Sequence, residues 1–215
     1  MTAPRKALIA GCARDAAQAL PMVLRNIETI AACFTETATI FIENDSTDDT
    51  LQRLRAWGRG RPRCSVYGLT GLGKLFAQRA LRLEVCRNLY LHQLRTDPVL
   101  RAYDVLVVLD MDDVNASLRF DPAAIEAALH HLFAHEARGG VFAWQPHYYD
   151  LWALRHAQHF PMDFWESVRD AAIDLGLSDT DAARYVLLQH PLSFISATEP
   201  TPVDSAFGGF GFYQI

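Results

Sequence analysis

The sequence predicts an α/β fold in which a mainly parallel central sheet is flanked by helices. Short apolar runs alternate with longer segments of helical periodicity, which is the pattern of such a sheet. The run at residues 103–109 is short and rich in β-branched side chains, as expected for a strand buried on both faces. Half of the 215 residues are hydrophobic and 21% are charged, which is ordinary for a globular protein.

The strands are identified from apolar runs that end in polar turns. The first run leads into Gly11 and Cys12, and the second into the polar stretch 43–50. A Gly-rich tail ends the chain as a strand. The predicted strands are residues 6–12, 38–43, 64–67, the run ending at Asp110, 141–144 and the end of 203–215.

The helices are identified from apolar spacing and from capping residues. Leu20, Val23, Ile27 and Ile30 recur near helical spacing. Asp121-Pro122 offers a capping side chain followed by proline in the first turn, and Gly139-Gly140 ends that segment. The predicted helices are residues 16–34, 51–57, 78–95, 122–138, 163–175 and 179–189.

Composition excludes several classes of protein. The net charge of −5 gives no indication of a nucleic-acid partner. No apolar stretch approaches the roughly 20 residues of a membrane span, and the N-terminus lacks the features of a signal peptide. The four cysteines fit no zinc spacing, so we expect free thiols. We therefore expect a cytoplasmic protein whose residues 1–215 form a single domain without a linker or repeat.

An acidic cluster follows the buried strand. Asp110 and Asp112 are two residues apart and can share a face, with Asp113 beside them. Carboxylates this close repel one another unless a cation lies among them, and Mg²⁺ or Mn²⁺ favours such ligands together with substrate phosphates. Ligands of open α/β sheets bind outside the carboxyl ends of strands. The cluster therefore predicts a metal–diphosphate site, and the alternative is a solvated acidic turn.

Two further groups of polar residues accompany this cluster. Glu43 and Asp45 follow the second strand, where they could accept hydrogen bonds from a ribose or a base; the alternative is a turn that caps the next helix. Arg79, Arg82 and Arg87 lie on one predicted helix, and the planar guanidinium suits phosphate. Surface salt bridges are the alternative for the arginines.

Two other patterns resemble known motifs but lack a required residue. Residues 68–74 nearly spell a phosphate-binding P-loop, but Leu75 stands where a hydroxyl is needed for Mg²⁺. His131 and His135 are one helical turn apart, but Leu132 stands where a zinc protease needs glutamate. We therefore expect a glycine loop and a solvated helix face.

The last third of the chain carries candidate sugar contacts. The segment 144–152 is rich in aromatic residues, and Asp150 and Trp152 could line a sugar or acceptor site, because sugar C–H groups pack on aromatic rings. The alternative places the tryptophans in the core. In segment 203–209, Asp204 could act as a base, and Gly208 and Gly209 would allow close backbone approach to a ligand.

The order of these features resembles the GT-A glycosyltransferases, and more closely the capsule-associated mannosyltransferases of the Cap59 type with their bacterial relatives. Each matching segment is short, but together they span nearly the whole chain. The segments are IENDSTDDT (42–50), RN (87–88), LDMDDVN (109–115), YYDLWALR (148–155) and SAFGGF (205–210).

The resemblance implies a metal-dependent transferase that moves a sugar, suggested to be mannose, from a GDP- or UDP-sugar to a hydroxyl acceptor. Mn²⁺ or Mg²⁺ would lie on Asp110 and Asp112. The remaining roles are nucleotide binding by Glu43, Asp45, Arg79, Arg82, Arg87 and Asp110, catalysis by Asp150 and Asp204, and sugar or acceptor contact by Asp113, Trp152, Gly208 and Gly209.

Two other functions stay open from the sequence. A nucleotidyltransferase could use the same acidic turn, although such enzymes usually carry a glycine-rich loop directly after the first strand, where only Gly11 is present. The second function that stays open is that of a non-catalytic module that binds a sugar or a nucleotide. The chain stops at Ile215 in a predicted strand, so we expect either a truncated or a minimal member of the family, and a truncated one would have an incomplete acceptor site.

Overall fold

The computed structural model describes residues 5–117, 119–135, 138–144, 150–196 and 198–215. Its centre is a six-stranded sheet in the order β3-β2-β1-β4-β6-β5. β1 pairs in parallel with β2 and β4, β2 pairs in parallel with β3, and β6 runs antiparallel to β4. The α/β fold with a mainly parallel sheet is therefore confirmed. The strands are β1 (Lys6–Ala13), β2 (Glu36–Asn44), β3 (Cys64–Leu69), β4 (Val105–Asp110), β5 (Gly140–Phe142) and β6 (Phe210–Gln214).

The helices follow the strands along the chain. They are α1 (Leu20–Ala31), α2 (Thr50–Gly58), α3 (Leu72–Leu75), α4 (Arg79–Thr96), α5 (Pro122–Phe133), α6 (Phe164–Leu175) and α7 (Asp179–Gln189). Short 3₁₀ turns occupy Leu100–Ala102, Asp113–Asn115 and Leu192–Phe194. Among the described residues, no helix combines the length and the apolar character needed to cross a bilayer.

The central strands form because they can be buried on both faces. Residues 7–10 of β1 are fully buried, and so is nearly all of β4. α1 packs Leu20, Val23, Ile27 and Ile30 into the same core. At 20–30 cal/mol per Å² of buried apolar surface, burial of this kind is the main favourable term in folding.

The structure differs from the predicted elements at several points. α1 begins at Leu20 rather than near residue 16, because the backbone N–H groups of Ala16 and Ala17 donate to the side chains of Thr50, the first residue of α2, and of Asp48 in the loop before it. α5 begins as predicted, with Asp121 accepting from Ala123 N at 3.0 Å, but ends at Phe133. The glycine segment near residue 72 contains the short helix α3, which the sequence did not indicate.

The chain divides into two compact units. The first contains the sheet and comprises Met1–Val141 and Gly209–Ile215, of which the described part begins at residue 5. The second, Phe142–Gly208, has its own core around α6 and α7, formed by Leu154, Phe160, Phe164, Val168, Ala182 and Val186. That both units act as one functional domain stays a prediction.

Candidate functional site

The topology of the sheet creates a crevice at the end of two strands. β1 lies between β2 and β4, so the chain builds β2 and β3 on one side of β1 and then crosses to β4 on the other. Cys12 near the end of β1 is in register with Asp110 at the end of β4. Ligands of open α/β sheets bind at the point where the strand order reverses in this way.

A cleft of about 190 Å³ opens at this point. The described residues that line it all belong to the first unit. It brings together two carboxylates and two guanidinium groups that the sequence had singled out, on Asp110, Asp112, Arg79 and Arg82. The other lining residues are Cys12, Ala13, Arg14, Asp15, Ala16, Asn44, Leu83 and Met111.

The acidic turn after β4 is held by backbone hydrogen bonds. Asp110 N donates to the Gly209 carbonyl at 2.8 Å. Asn115 Nδ2 donates to the carbonyls of Asp110 at 2.8 Å and Gly209 at 2.7 Å. Gly209 has φ 81°, a left-handed conformation that favours glycine. The predicted role of Gly209 in ligand approach is untested, but its carbonyl clearly positions the turn.

Asp112 lies in an environment that disfavours its charge. Burial raises the pKa of its carboxyl group, and the neighbouring Asp113 raises it further. A hydrogen bond from Val114 N, at 3.2 Å, and the charge of Arg79 oppose this effect. A positive group bound in the cleft would therefore stabilise ionised Asp112. Asp113 itself is exposed at the start of the 3₁₀ turn.

The three predicted arginines lie on α4 but differ in their contacts. Arg79 and Arg82 line the cleft. Arg82 Nη1 donates to the carbonyls of Phe76 and Ala77, each at 2.7 Å, which fixes its guanidinium near the start of the helix. Arg87 Nη2 lies 3.8 Å from Asp110 Oδ1, so it forms an ion pair with the acidic turn.

Glu43 and Asp45 do not line the cleft. Glu43 is only 3% exposed, and its Oε1 accepts from Ser46 N at 2.8 Å. Asp45 accepts hydrogen bonds from Gly73 N and Gly71 N, which lower the pKa of its carboxyl group. Both carboxylates therefore hold loops in place, although neither of them caps α2, and direct nucleotide contact by either stays a prediction.

Asn44, between those two carboxylates, was missed by the sequence analysis. It is 8% exposed and lines the cleft. Its Oδ1 accepts from Cys86 Sγ at 3.7 Å. Among the described side chains, its Nδ2 is one of two buried polar atoms without a hydrogen-bond partner. The Asn44 side chain also contributes, as the last of several causes, to lowering the pKa of Asp45, but the two groups do not meet in hydrogen-bonding geometry. A ligand oxygen would satisfy this donor.

The turn after β1 also contributes residues that the sequence did not single out. Asp15 has φ 48°, and its Oδ1 accepts from Thr47 N at 2.7 Å, which lowers the pKa of its carboxyl group. A hydrogen bond with the Cys86 thiol, together with burial, raises the pKa of the Cys12 thiol well above its usual value. The cysteines are free, as expected, and the Cys12 thiol is a neutral part of the cleft wall.

The remaining predicted residues belong to the second unit. Trp152 is half exposed, against the alternative that it is core, and Asp150 precedes its turn. Asp204 N donates to the Arg155 carbonyl at 2.9 Å. Gly208 ends the unit. Residues 145–149 lie outside the described part of the chain. They include Tyr148 and Tyr149, the first two residues of the segment YYDLWALR.

The donor set at the cleft fits a hard divalent cation that a substrate helps to hold. Within the described part of the chain, no three His, Cys, Asp or Glu side chains are grouped so that they could hold a metal on their own. Mg²⁺ commonly uses only one or two carboxylates and completes its shell with waters and substrate phosphates. Asp110 and Asp112 supply two carboxylates to the cleft, and burial raises the pKa of Asp112.

No protein-family model matches the chain, and neither does any curated protein. The chain is similar to a number of solved structures, including the following three. Glucosyl-3-phosphoglycerate synthase from Mycobacterium tuberculosis, solved with UDP, is 15% identical (TM-score 0.42, covering 98% of this chain and 57% of that one). Residues 1–349 of S. aureus TarS are 11% identical (TM-score 0.45, covering 86% and 55%). A Pyrobaculum calidifontis mannosyltransferase, solved with GDP-Man and Mn²⁺, is 15% identical (TM-score 0.40, covering 88% and 54%).

The chain spans little more than half the length of these structures. At such identities and scores the similarity carries no argument about activity, so the functional argument rests on the cleft.

Proposed function

We propose that this chain is a nucleotide-sugar-dependent glycosyltransferase of the GT-A type, which moves a sugar from a GDP- or UDP-sugar to a hydroxyl acceptor. The observation that carries the proposal is the cleft at the reversal of strand order, where Asp110 and Asp112 face the same space as Arg79 and Arg82. Paired carboxylates beside paired guanidinium groups suit a cation and a diphosphate together.

Each charged group has a distinct part in binding the donor. Asp110 and Asp112 would hold Mn²⁺ or Mg²⁺, which would neutralise the charge that develops on the departing nucleoside diphosphate. Arg79 and Arg82 would bind phosphate oxygens through their planar forks. Arg87 holds the carboxylate of Asp110 by their ion pair.

The end of β2 would present the nucleoside contact. Asn44 Nδ2 is the buried donor available to a ribose or base oxygen. Glu43 and Asp45 would act mainly by holding the loop that follows β2, through Ser46 N and through Gly71 N and Gly73 N.

The sugar and the acceptor are proposed from the motif resemblance. It favours mannose from GDP-mannose, with Asp113, Trp152, Gly208 and Gly209 near the sugar or acceptor. Asp150 and Asp204 are the candidates for activating the acceptor hydroxyl. The cytoplasmic location stays a prediction.

The proposal is tested by turnover. The protein is incubated with a panel of GDP- and UDP-sugars and Mn²⁺ or Mg²⁺, and the released nucleoside diphosphate is measured, including slow hydrolysis. We expect release from one base class only. Asp110→Asn and Asp112→Asn should reduce it by at least about a hundredfold, because metal charge stabilisation amounts to several kcal/mol.

The matched control is Asp174→Asn, an exposed carboxylate of α6 that should leave release unchanged. Nucleotide binding without any turnover would instead indicate a non-catalytic binding module. Turnover that is unaffected by both substitutions in the acidic turn would contradict the proposed site.

A further inference from the structure

We propose that Trp152 and Trp165, both on the second unit, form a saccharide-binding site. The binding of saccharide stands on the geometry of this unit alone. Its use as the acceptor site rests on the proposed transferase function. The sequence singled out Trp152, whereas Trp165 on α6 was not considered.

The two indole rings form an exposed aromatic corner. Their centroids are 6.4 Å apart and their planes are inclined by 79°. Trp152 is 50% exposed and Trp165 is 47% exposed. Edge-to-face pairs are a stable arrangement of aromatic rings, so the corner keeps its shape while its open faces remain accessible to a ligand.

The corner is anchored on the core of its unit. Trp165 meets Phe164 edge to face at 5.0 Å, and Phe164 stacks on Phe160 at 6.2 Å. Phe160 and Phe164 are buried. A continuous row of rings therefore runs from the core to the exposed pair, which restricts the rotation of Trp165.

Arg155 joins the two segments that carry the tryptophans. Its Nη1 donates to the Trp152 carbonyl at 2.9 Å, and its Nη2 donates to Asp163 Oδ2 at 2.6 Å. Asp163 caps α6 by accepting from Glu166 N at 3.1 Å. One guanidinium thus connects the turn of Trp152 to the start of the helix that carries Trp165, so a ligand would not have to bring these two backbone segments together on binding.

A sugar fits this corner better than a protein does. The face of an aromatic ring is electronegative, and the C–H groups on one face of a pyranose carry a slight positive charge. The next exposed apolar side chain along α6 is Ile173, about 12 Å away by helix rise. Between them come Glu166, Arg169 and Asp170, which form ion pairs. Charged side chains therefore interrupt the exposed apolar surface along α6, whereas a protein partner usually covers a continuous area of roughly 800 Å².

The test is an NMR titration of the indole N–H signals without nucleotide or metal. Maltose, cellobiose and mannobiose are the probes, and Trp152→Phe and Trp165→Phe assign the two signals among the four tryptophans. We expect at least one saccharide to shift the signals of Trp152 and Trp165 together. Trp165→Ala should weaken binding by roughly tenfold or more, Trp165→Phe by less, because it keeps an aromatic face.

Leu188→Ala is the matched control, since Leu188 is an exposed apolar residue elsewhere on the unit; it should leave binding unchanged. The proposal is overturned if no probe shifts the two indole signals, or if Trp165→Ala binds as the wild type does. A response to an apolar dye alone would also overturn it and indicate protein docking.

Two features keep this test decisive. If Trp165→Ala fails to fold, the wild-type titration and Trp165→Phe still answer the question. Because neither nucleotide nor metal is present, failure of the saccharide titration leaves the donor cleft unaffected, and failure of nucleotide binding leaves the saccharide result intact.

Discussion

Asn26 Nδ2 donates a hydrogen bond of 2.8 Å to the backbone carbonyl of Asn115, joining α1 to the turn after β4. Asn26 Oδ1 accepts from Phe120 N at 3.0 Å. Asn115 in turn holds the carbonyls of Asp110 and Gly209. A buried amide on α1 therefore helps to set the position of the acidic turn, although it contacts neither carboxylate side chain of the proposed metal site by these bonds.

Replacing Asn26 with leucine should destabilise the protein and weaken its donor site. Asn26 is 1% exposed, so Asn26→Leu would leave the part-buried Phe120 N–H and the Asn115 carbonyl without these partners. Such losses cost about 1–3 kcal/mol. Urea unfolding measures the change in the free energy of unfolding, and a nucleotide titration measures the change in affinity at the donor site. Thr29→Ala, on the same helix, should change neither; an unchanged midpoint for Asn26→Leu would contradict the account.

Adding a methyl group at Gly11 should displace Met111 in the acidic turn. A Cβ at Gly11 would lie 2.5 Å from Met111 Sδ and 2.7 Å from its Cγ, and Met111 is buried. Overpacking of this kind costs about 1–3 kcal/mol. We therefore expect Gly11→Ala to lower both the unfolding midpoint and nucleotide affinity.

A double substitution tests whether Met111 is the cause. Gly11→Ala combined with Met111→Ala should recover part of the nucleotide affinity, since the clash is removed. Gly139→Ala is the control, because a Cβ there meets nothing within 4 Å. Strictly additive losses in the double variant would show that the two residues do not interact.

Replacing Arg79 or Arg82, the two arginines of α4 that line the cleft, should weaken diphosphate binding. Arg79→Gln and Arg82→Gln each remove a guanidinium that lines the cleft, and charge-assisted hydrogen bonds amount to roughly 1.5–3 kcal/mol, or about tenfold or more in affinity. Arg→Lys at either position should recover little, because the ammonium lacks the planar fork. Calorimetric titration with GDP and UDP provides the measurement. Arg55→Gln, on the exposed face of α2, should bind as the wild type does.

Acid should destabilise the loop that Asp45 holds. Hydrogen bonds from Gly73 N and Gly71 N lower the pKa of Asp45 in the folded state. Its contribution is therefore fully present above the unfolded pKa of about 4 and is lost as pH falls through the folded pKa. In Asp45→Asn this part of the acid sensitivity should disappear. Urea unfolding midpoints of the wild type and of Asp45→Asn, measured from neutral pH downward, test this prediction. Midpoints that depend on pH in the same way in both proteins would refute it.

Some parts of this site could be predicted because they depend on local sequence. A β-branched run indicates a buried strand wherever it occurs, and parallel strands bring their carboxyl ends to one edge of the sheet. The acidic turn after residue 109 therefore lies at this edge, and the structure places Arg79 and Arg82 of α4 in the same cleft. The antiparallel pairing of β6 with β4 joins residues about a hundred positions apart, and no local pattern indicates it.

Other parts depend on which backbone donors lie nearby in the folded chain. Glu43 and Asp45 looked like ligand contacts because they follow a strand, but Ser46, Gly71 and Gly73 occupy their oxygens. Asn44 lies between them and was passed over, because only the fold shows that its amide donor is buried without a partner at the cleft. The sequence thus identifies the polar residues at the end of a strand, but the role of each one depends on its contacts in the folded chain.

The central claim is that Asp112 and a divalent cation together bind a nucleoside diphosphate in the cleft, and thermal melting tests it most directly. A ligand that binds only the folded state stabilises it by about 2.7 kcal/mol at a hundredfold excess over its Kd. The account predicts that GDP or UDP raises the Tm only with Mn²⁺ or Mg²⁺, and that Asp112→Ala abolishes the rise while Asp174→Asn retains it. A rise that persists in Asp112→Ala, or no rise with either nucleotide and metal, would contradict it.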